Sequence, residues 1–250
     1  MFTLKRGDCL ELMRDLPENS VDLILCDLPY GTTACKWDSV LPFDELWFHY
    51  SRIITDRGAI VLTCAQPFTT ALIASNMDMF KYCWIWVKSR KGDVFNAKNK
   101  PLRGHEEIAV FSKGTTANKS DRRMTYNPQG VGQCDVTRTN TRKDRAFVSI
   151  RPSHKDRYRQ TQTGYPDSVL RFDNDVGTVH PTQKPVPLME YLIKTYTNEG
   201  DTVLDNCMGS GTTGVACANT GRKFIGMELD RDYFCIARRR ISEAYKTKAP

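Results

Sequence analysis

Two stretches of this chain hold residue types that can do chemistry. In "LDNCMGSGTTG", Gly209, Gly211 and Gly214 stand at G-x-G-x-x-G spacing between an apolar "DTVLD" and a helical "GTTGVACANTG". Glycines suit a sharp turn at which a ligand approaches the backbone, and the free N–H groups of the following helix, beginning near Thr212, favour an anionic group. Glu228 ends the next apolar run, "KFIGMEL", where a carboxylate accepts both hydroxyls of a ribose. That much fits a dinucleotide or S-adenosylmethionine. Asp205 stands just before the glycines, where it would face the ammonium of a methionine moiety and repel a pyrophosphate. A dinucleotide-binding domain also usually opens its chain with this unit, which here lies near residue 209. S-adenosylmethionine is therefore the expected cofactor, with a nicotinamide oxidoreductase as the rival.

The second stretch, "SVDLILCDLPYG", is an apolar run closed by Asp27, Leu28, a turn-stiffening Pro29 and the ring of Tyr30. Both stretches need elements to hold them. Short apolar runs ("SVDLILCD", "GAIVLT", "KYCWIWVK", "EEIAVFSK") alternate with helical patterns ("FDELWFHYSRII", "FTTALIASNM") through residue 111. The rhythm resumes after "HPTQKPVP" with "LMEYLIKTYT", "DTVLD", the helix ending at Gly221, "KFIGMEL" and "RDYFCIARRRISEAY". Strands and helices alternating in this way predict a doubly wound, mostly parallel, Rossmann-like α/β sheet. Its halves are 1–111 and 179–250. Between them, 112–178 is rich in Thr, Arg, Asn, Gly and Pro and reads as a loop-rich insertion.

The net charge of +7 is concentrated in that insertion: Ser112 to Arg171 carry 13 Lys and Arg against 5 Asp, leaving the rest about neutral. Such a concentration points to a polyanion partner. Nine cysteines without a CxxC pair suggest neither a disulfide framework nor a metal site. No apolar run reaches membrane-spanning length, and the N-terminus lacks a signal-peptide pattern, so a cytoplasmic protein is expected.

Together these motifs resemble the permuted, beta-class DNA amino-methyltransferases, in which a base-binding motif, a target-recognition insertion and the cofactor glycines follow in this order. "DLPYG", the basic insertion, "HPTQKP" and "LDNCMGSGTTG" carry the resemblance, over about three quarters of the chain. It implies that Asp27 and the carbonyl of Leu28 accept hydrogen bonds from the exocyclic amine of a base, beside Pro29 and with Tyr30 stacking on that base once flipped from the duplex. Leu28 stands where the family usually has proline, a change tolerable at a position acting through its carbonyl. The acid at position 27 favours adenine N6, with cytosine N4 and a catalytically silent DNA-binding protein as alternatives.

The resemblance also places Asp8 and Cys9 at the cofactor's adenine, and Thr182 and Lys184 near its methionine carboxylate. Asp8 doubles as a helix N-cap, with Glu11 completing a capping-box pattern. Asn96 and Lys98 would border the target base or its phosphate. The insertion becomes the expected DNA-recognition region, with Arg122, Arg123, Arg138, Arg142, Lys143 and Arg145 among the candidates for holding phosphates or reading guanine. Double-stranded DNA is the implied partner. A homodimer and a cognate restriction nuclease acting on the same site are further partners the resemblance raises. Methyl transfer of this kind needs no metal, and Cys207, lacking a preceding proline, reads as packing around the cofactor.

Overall fold

The computed structural model describes residues 1–31, 39–139, 157–174 and 183–248. They form two compact units, Met1–Asn127 with Ser168–Pro250, and Pro128–Asp167. In chain order the elements are β1 (Phe2–Arg6), α1 (Cys9–Met13), β2 (Val21–Asp27), α2 (Phe43–Ile53), β3 (Ile54–Cys64), α3 (Phe68–Ala74), β4 (Phe80–Gly92) and β5 (Arg103–Phe111). The smaller unit contributes β6 (Gly132–Thr139) and β7 (Arg157–Thr163); the larger resumes with β8 (Val169–Arg171), α4 (Val186–Tyr196), β9 (Thr202–Asp205), α5 (Thr212–Thr220), β10 (Lys223–Glu228) and α6 (Arg231–Lys248).

The larger unit is an eight-stranded sheet in the order β1-β10-β9-β2-β3-β5-β4-β8. Every pairing is parallel except the two made by β5, which runs against β3 and β4. Side chains alternate across the sheet and so supply two cores. Ile24, Cys26, Ile60 and Leu62 face α1, α2 and α3, where Met13, Leu46, Tyr50 and Leu72 are buried. Leu23, Leu25, Val61 and Val203 face α4, α5 and α6, where Leu192, Tyr196, Cys217 and Ile241 are buried. Apolar residues on both faces explain why these strands read as near-continuous hydrophobic runs rather than alternating ones. The chain moves outward in opposite directions from the neighbouring pair β9 and β2, so a crevice opens beyond their C-terminal ends.

The glycine turn serves packing as much as ligand approach. Gly211 has φ 82°, and a Cβ there would stand 2.9 Å from Ala237 of α6. At Gly214 a Cβ would stand 2.5 Å from Ile241 Cδ1 and 2.7 Å from Phe224. The second and third glycines therefore let α5 close against α6 and β10. Gly214→Ala should destabilise the fold by about 1–3 kcal/mol through overpacking, read as an earlier midpoint in urea unfolding.

Ser112–Asn127, the beginning of the basic segment, is tied to the larger unit. Ser112 Oγ donates to the Gly58 carbonyl at 2.7 Å, Thr125 N–H to Arg57 at 2.8 Å and Asn127 N–H to Thr195 at 2.7 Å. The smaller unit holds the antiparallel hairpin β6–β7, whose side chains are mostly exposed. On it Arg159 holds Asp135 through two hydrogen bonds of 2.6 and 2.8 Å, and Arg138 Nε donates to Gln160 at 3.0 Å. No helix among the described residues is long and apolar enough to cross a membrane.

Candidate active site

A cavity of about 730 Å³ lies at the crevice, lined by the residues that end or follow β1, β2, β9 and β10 and by Lys88, Arg103 and Glu106 of β4 and β5. Its size falls among small-molecule sites, roughly 300–1,000 Å³.

Asp27, the last residue of β2, sits opposite Thr63 in the parallel register with β3. Its Oδ1 accepts from Tyr30 Oη at 2.7 Å and from Thr63 Oγ1, and its Oδ2 accepts from Lys184 Nζ at 2.6 Å. Two hydroxyls thus saturate Oδ1, whereas Oδ2 keeps a second acceptor direction. The Asp27 side chain remains 26% accessible. Tyr30 stacks on Phe68, with ring centroids 5.0 Å apart and planes 26° from parallel. Burial, with Asp27 and Glu106 nearby, pushes the Tyr30 hydroxyl well above its usual range, so it remains a neutral donor. Leu28, whose side chain is buried in the first core, shows why a residue other than proline is accommodated there.

Lys184 stands between two acids. Its Nζ also lies 3.4 Å from Glu106 Oε2, and Glu106 Oε1 accepts from Lys88 Nζ at 2.5 Å. Burial opposes charge on Lys184, but Asp27 and Glu106 outweigh it and raise the ammonium above its ordinary value. Burial likewise opposes charge on Glu106, and Lys184 and Lys88 outweigh it in the other direction. Lys88, Glu106, Lys184 and Asp27 form a line of alternating charge into the cavity. The resemblance puts Lys184 near the methionine carboxylate; in this structure its ammonium lies against Asp27 and Glu106, as the cation that offsets their burial.

The other half of the cavity holds the acids of the glycine turn. Asp205, buried at the end of β9, accepts from Cys207 N–H at 3.1 Å and Thr213 Oγ1 at 2.6 Å. Burial pushes its carboxyl up to about 7. No cationic side chain pairs with it among the described residues. Glu228 accepts from Gly209 N–H through Oε2 and from Asp230 N–H through Oε1, each at 2.8 Å. Asp8 caps α1, its Oδ1 accepting from Leu10 N–H at 2.8 Å. Cys9 and Cys207 line the cavity beside them. Thiol hydrogen bonds with Cys26 and Cys9, together with burial, raise Cys207 well above the thiol range, consistent with a packing role. Thr212, buried, opens α5 at the same wall. A buried acid with only neutral donors, a second acid on the adjacent strand end and an adjoining glycine turn fit a cationic, ribose-bearing cofactor.

Asn96, Lys98, Arg122, Arg123 and Arg138 are exposed and are not among the residues that line the cavity. Thr182, Arg142, Lys143 and Arg145 lie outside the described residues. Sequence reading missed Thr63, Lys88 and Glu106. A signal for the last two exists: Trp84, Trp86, Glu106, Ile108 and Val110 share one buried sheet face, and Trp86 is the register partner of Glu106. A charge continuing such a face requires a partner.

Comparison with known proteins agrees with this geometry. The DNA methylase family model, spanning N6- and N4-type enzymes, matches residues 21–239. The DNA adenine methyltransferase YhdJ of Escherichia coli is 28% identical over 259 residues, covering 97% of this chain and 83% of the relative. The type II methyltransferase M.HpaI of Haemophilus parainfluenzae is 25% identical, covering 96% and 74%. Among solved structures, M1.HpyAVI in complex with S-adenosylmethionine superposes with TM-score 0.64 at 25% identity, covering 96% of this chain and 100% of that one. The cytosine-N4-specific PvuII DNA methyltransferase shares the fold, with TM-score 0.67 at 18% identity over 99% of this chain and 92% of that one. Fold, cavity and matches define an S-adenosylmethionine-dependent DNA methyltransferase of the beta class. Its family follows from the match across most of its length: the chain belongs to the N6/N4 DNA methylases.

Proposed function

We propose that this protein transfers a methyl group to the exocyclic N6 of an adenine flipped out of duplex DNA. The observation that carries this reading is Asp27: Oδ1 is anchored by two hydroxyls while Oδ2 keeps an acceptor direction at a cavity shared with the cofactor acids. An exocyclic amine is a weak nucleophile because its lone pair is delocalised into the ring. Accepting one N–H at Asp27 Oδ2 and the other at the Leu28 carbonyl favours a pyramidal nitrogen with a directed lone pair, and positioning supplies much of the remaining catalysis. The cofactor supplies an electrophilic methyl on a sulfonium. Lys184, held protonated, acts as an anchor for Asp27 and not as a base. The proton lost from the amine leaves toward an acceptor already bound to it, Asp27 Oδ2. Tyr30 fixes Asp27 through its hydroxyl, and the part of its ring lining the cavity supports the base.

Asp205 would hold the methionine ammonium, Glu228 the ribose hydroxyls, and Asp8 and Cys9 the adenine edge. Adenine over cytosine is supported by an acid at position 27 and by relatives such as the E. coli adenine enzyme. Residues 112–178, with the β6–β7 hairpin and its arginines, are assigned to target recognition, and the type II relatives support a cognate nuclease for the same site. A homodimer is part of the proposal, on the resemblance, because a single copy would read only one face of a short site. The test is to incubate the protein with methyl-labelled S-adenosylmethionine and unmethylated DNA, digest to nucleosides and identify the labelled one by mass spectrometry. Labelled N6-methyladenine is expected; labelled N4-methylcytosine would keep the Asp27 chemistry and overturn the base.

The Asp205 role predicts a pH dependence. A cation binds the ionised carboxyl, whose pKa of about 7 in the free protein must fall on binding. Cofactor affinity, read by calorimetry, should therefore be about tenfold weaker at pH 6 than at pH 8. In Asp205→Asn the slope should vanish.

A further inference from the structure

Between β4 and β5 the chain makes a turn whose tip is the single 3₁₀ turn Val94–Asn96. Phe95 at that tip is fully exposed (101%), and Val94 beside it is 63% exposed. The turn is braced. Asp93 takes φ 63°, its carboxylate lies 3.0 Å from Lys100 and 3.5 Å from Arg103, and Asn96, Ala97, Asn99 and Lys100 donate backbone N–H bonds within it. A phenyl ring displayed in water on a braced support forgoes burial that the neighbouring cores offer freely. Its surroundings name the medium it meets. Residues 90–103 carry Arg90, Lys91, Lys98, Lys100 and Arg103 against Asp93 alone. A second copy meeting this turn with its own turn would bring the same positive charge to the contact, whereas a nucleic acid brings the opposite one.

The turn also stands at the right place. Its base is the register pair Gly92 and Arg103, and Arg103 lines the cavity that holds Asp27. Phe95 is three residues from Gly92, a reach of about 10 Å at full extension. The turn is thus rooted at a residue of the cavity that would receive the base. We propose that Phe95 is a wedge: its ring enters the base stack at the target position and occupies the space the flipped base leaves, with the surrounding lysines and arginines on flanking phosphates. Phe95 is thus a positioning residue for base extrusion, an inference that rests on the base-flipping reading above.

The test compares wild type, Phe95→Ala and Phe95→Trp in single-turnover methyl transfer on oligonucleotide duplexes carrying the site mapped by the labelling experiment. In one duplex the target base is paired; in the other it faces an abasic sugar and needs no unpairing. Phe95→Ala should lose about 10- to 100-fold on the paired duplex and return to within about threefold of wild type on the unpaired one, while Phe95→Trp retains activity on both. A 2-aminopurine at the target position should brighten with wild type and Phe95→Trp and stay dim with Phe95→Ala. Equal activity of Phe95→Ala and wild type on the paired duplex overturns the wedge. So does an equal loss on both duplexes, which would mark a general contact, or a change in oligomeric state by light scattering, which would assign the ring to a contact between copies. Wild-type transfer on the paired duplex in the same series separates failure of the wedge from failure of the methyl-transfer reading.

Discussion

Asp27→Ala should lower the single-turnover rate of methyl transfer by about 10²–10³-fold or more, the scale seen when one preorganised polar contact to a reacting group is removed. Cofactor and DNA affinity should change little. The expectation rests on what the variant leaves intact. Tyr30 Oη and Thr63 Oγ1 are already 3.2 Å apart and can satisfy each other, and Lys184 keeps Glu106. The loss therefore falls on chemistry and not on folding. Asp27→Asn is the sharper variant because it preserves shape. The two hydroxyls hold the amide oxygen, so its NH₂ must face both Lys184 and the cavity, presenting donors where the amine needs an acceptor. It should be about as slow as the alanine variant. Transfer within tenfold of wild type by Asp27→Ala would remove Asp27 from the reaction.

The sheet was legible in the sequence because most of its strands are buried on both faces, and long apolar runs separated by helical patterns are buried most simply in a sheet covered by helices. Asp27, Asp205 and Glu228 were legible for a related reason: each ends a strand next to a turn, and the C-terminal ends of parallel strands are where such a sheet opens a crevice. What the pattern could not supply is contact between residues far apart in the chain. Lys184 follows a proline-rich segment 157 residues after Asp27, and nothing in its neighbours tells which acid it will meet. Thr63 is an ordinary strand residue until the register with β2 sets it opposite Asp27. The hairpin β6–β7 lacked a signal because its side chains face solvent on nearly every position, leaving no period-2 apolar pattern to read. Phe95 was hidden by the opposite habit, since a lone aromatic in sequence is read as core until its exposure is known.

Lys184→Met should lower the melting temperature by about 6–20 °C, since breaking a buried ion pair costs about 3–5 kcal/mol and each kcal/mol is worth about 2–4 °C at this chain length. The methionine fills the same volume, so the loss reports charge. With Lys184 gone, Asp27 loses its cation, and Glu106 keeps only Lys88. The sign with pH follows from both partners. Glu106 has its folded pKa lowered from 4.5, so its stabilising contribution is present above that value and is lost as pH falls through the folded pKa. Lys184 has its folded pKa raised from 10.5, so its contribution is complete below that value and is lost only as pH rises beyond it. The gap in stability between wild type and variant should thus be widest between about pH 5 and pH 10 and should narrow as acid protonates Glu106. A second substitution, Asp27→Asn, should recover part of the loss in Lys184→Met because it removes the charge left without a cation, whereas Glu106 still holds Lys88. The same variant decides where Lys184 acts. If it anchors Asp27, Lys184→Met slows methyl transfer while calorimetric affinity for the cofactor stays within about twofold, less than the free energy of one hydrogen bond. If it instead holds the methionine carboxylate, affinity falls by about tenfold or more, as loss of a charge-assisted contact requires, and the Asp27 anchor must be sought in Thr63 and Tyr30 alone.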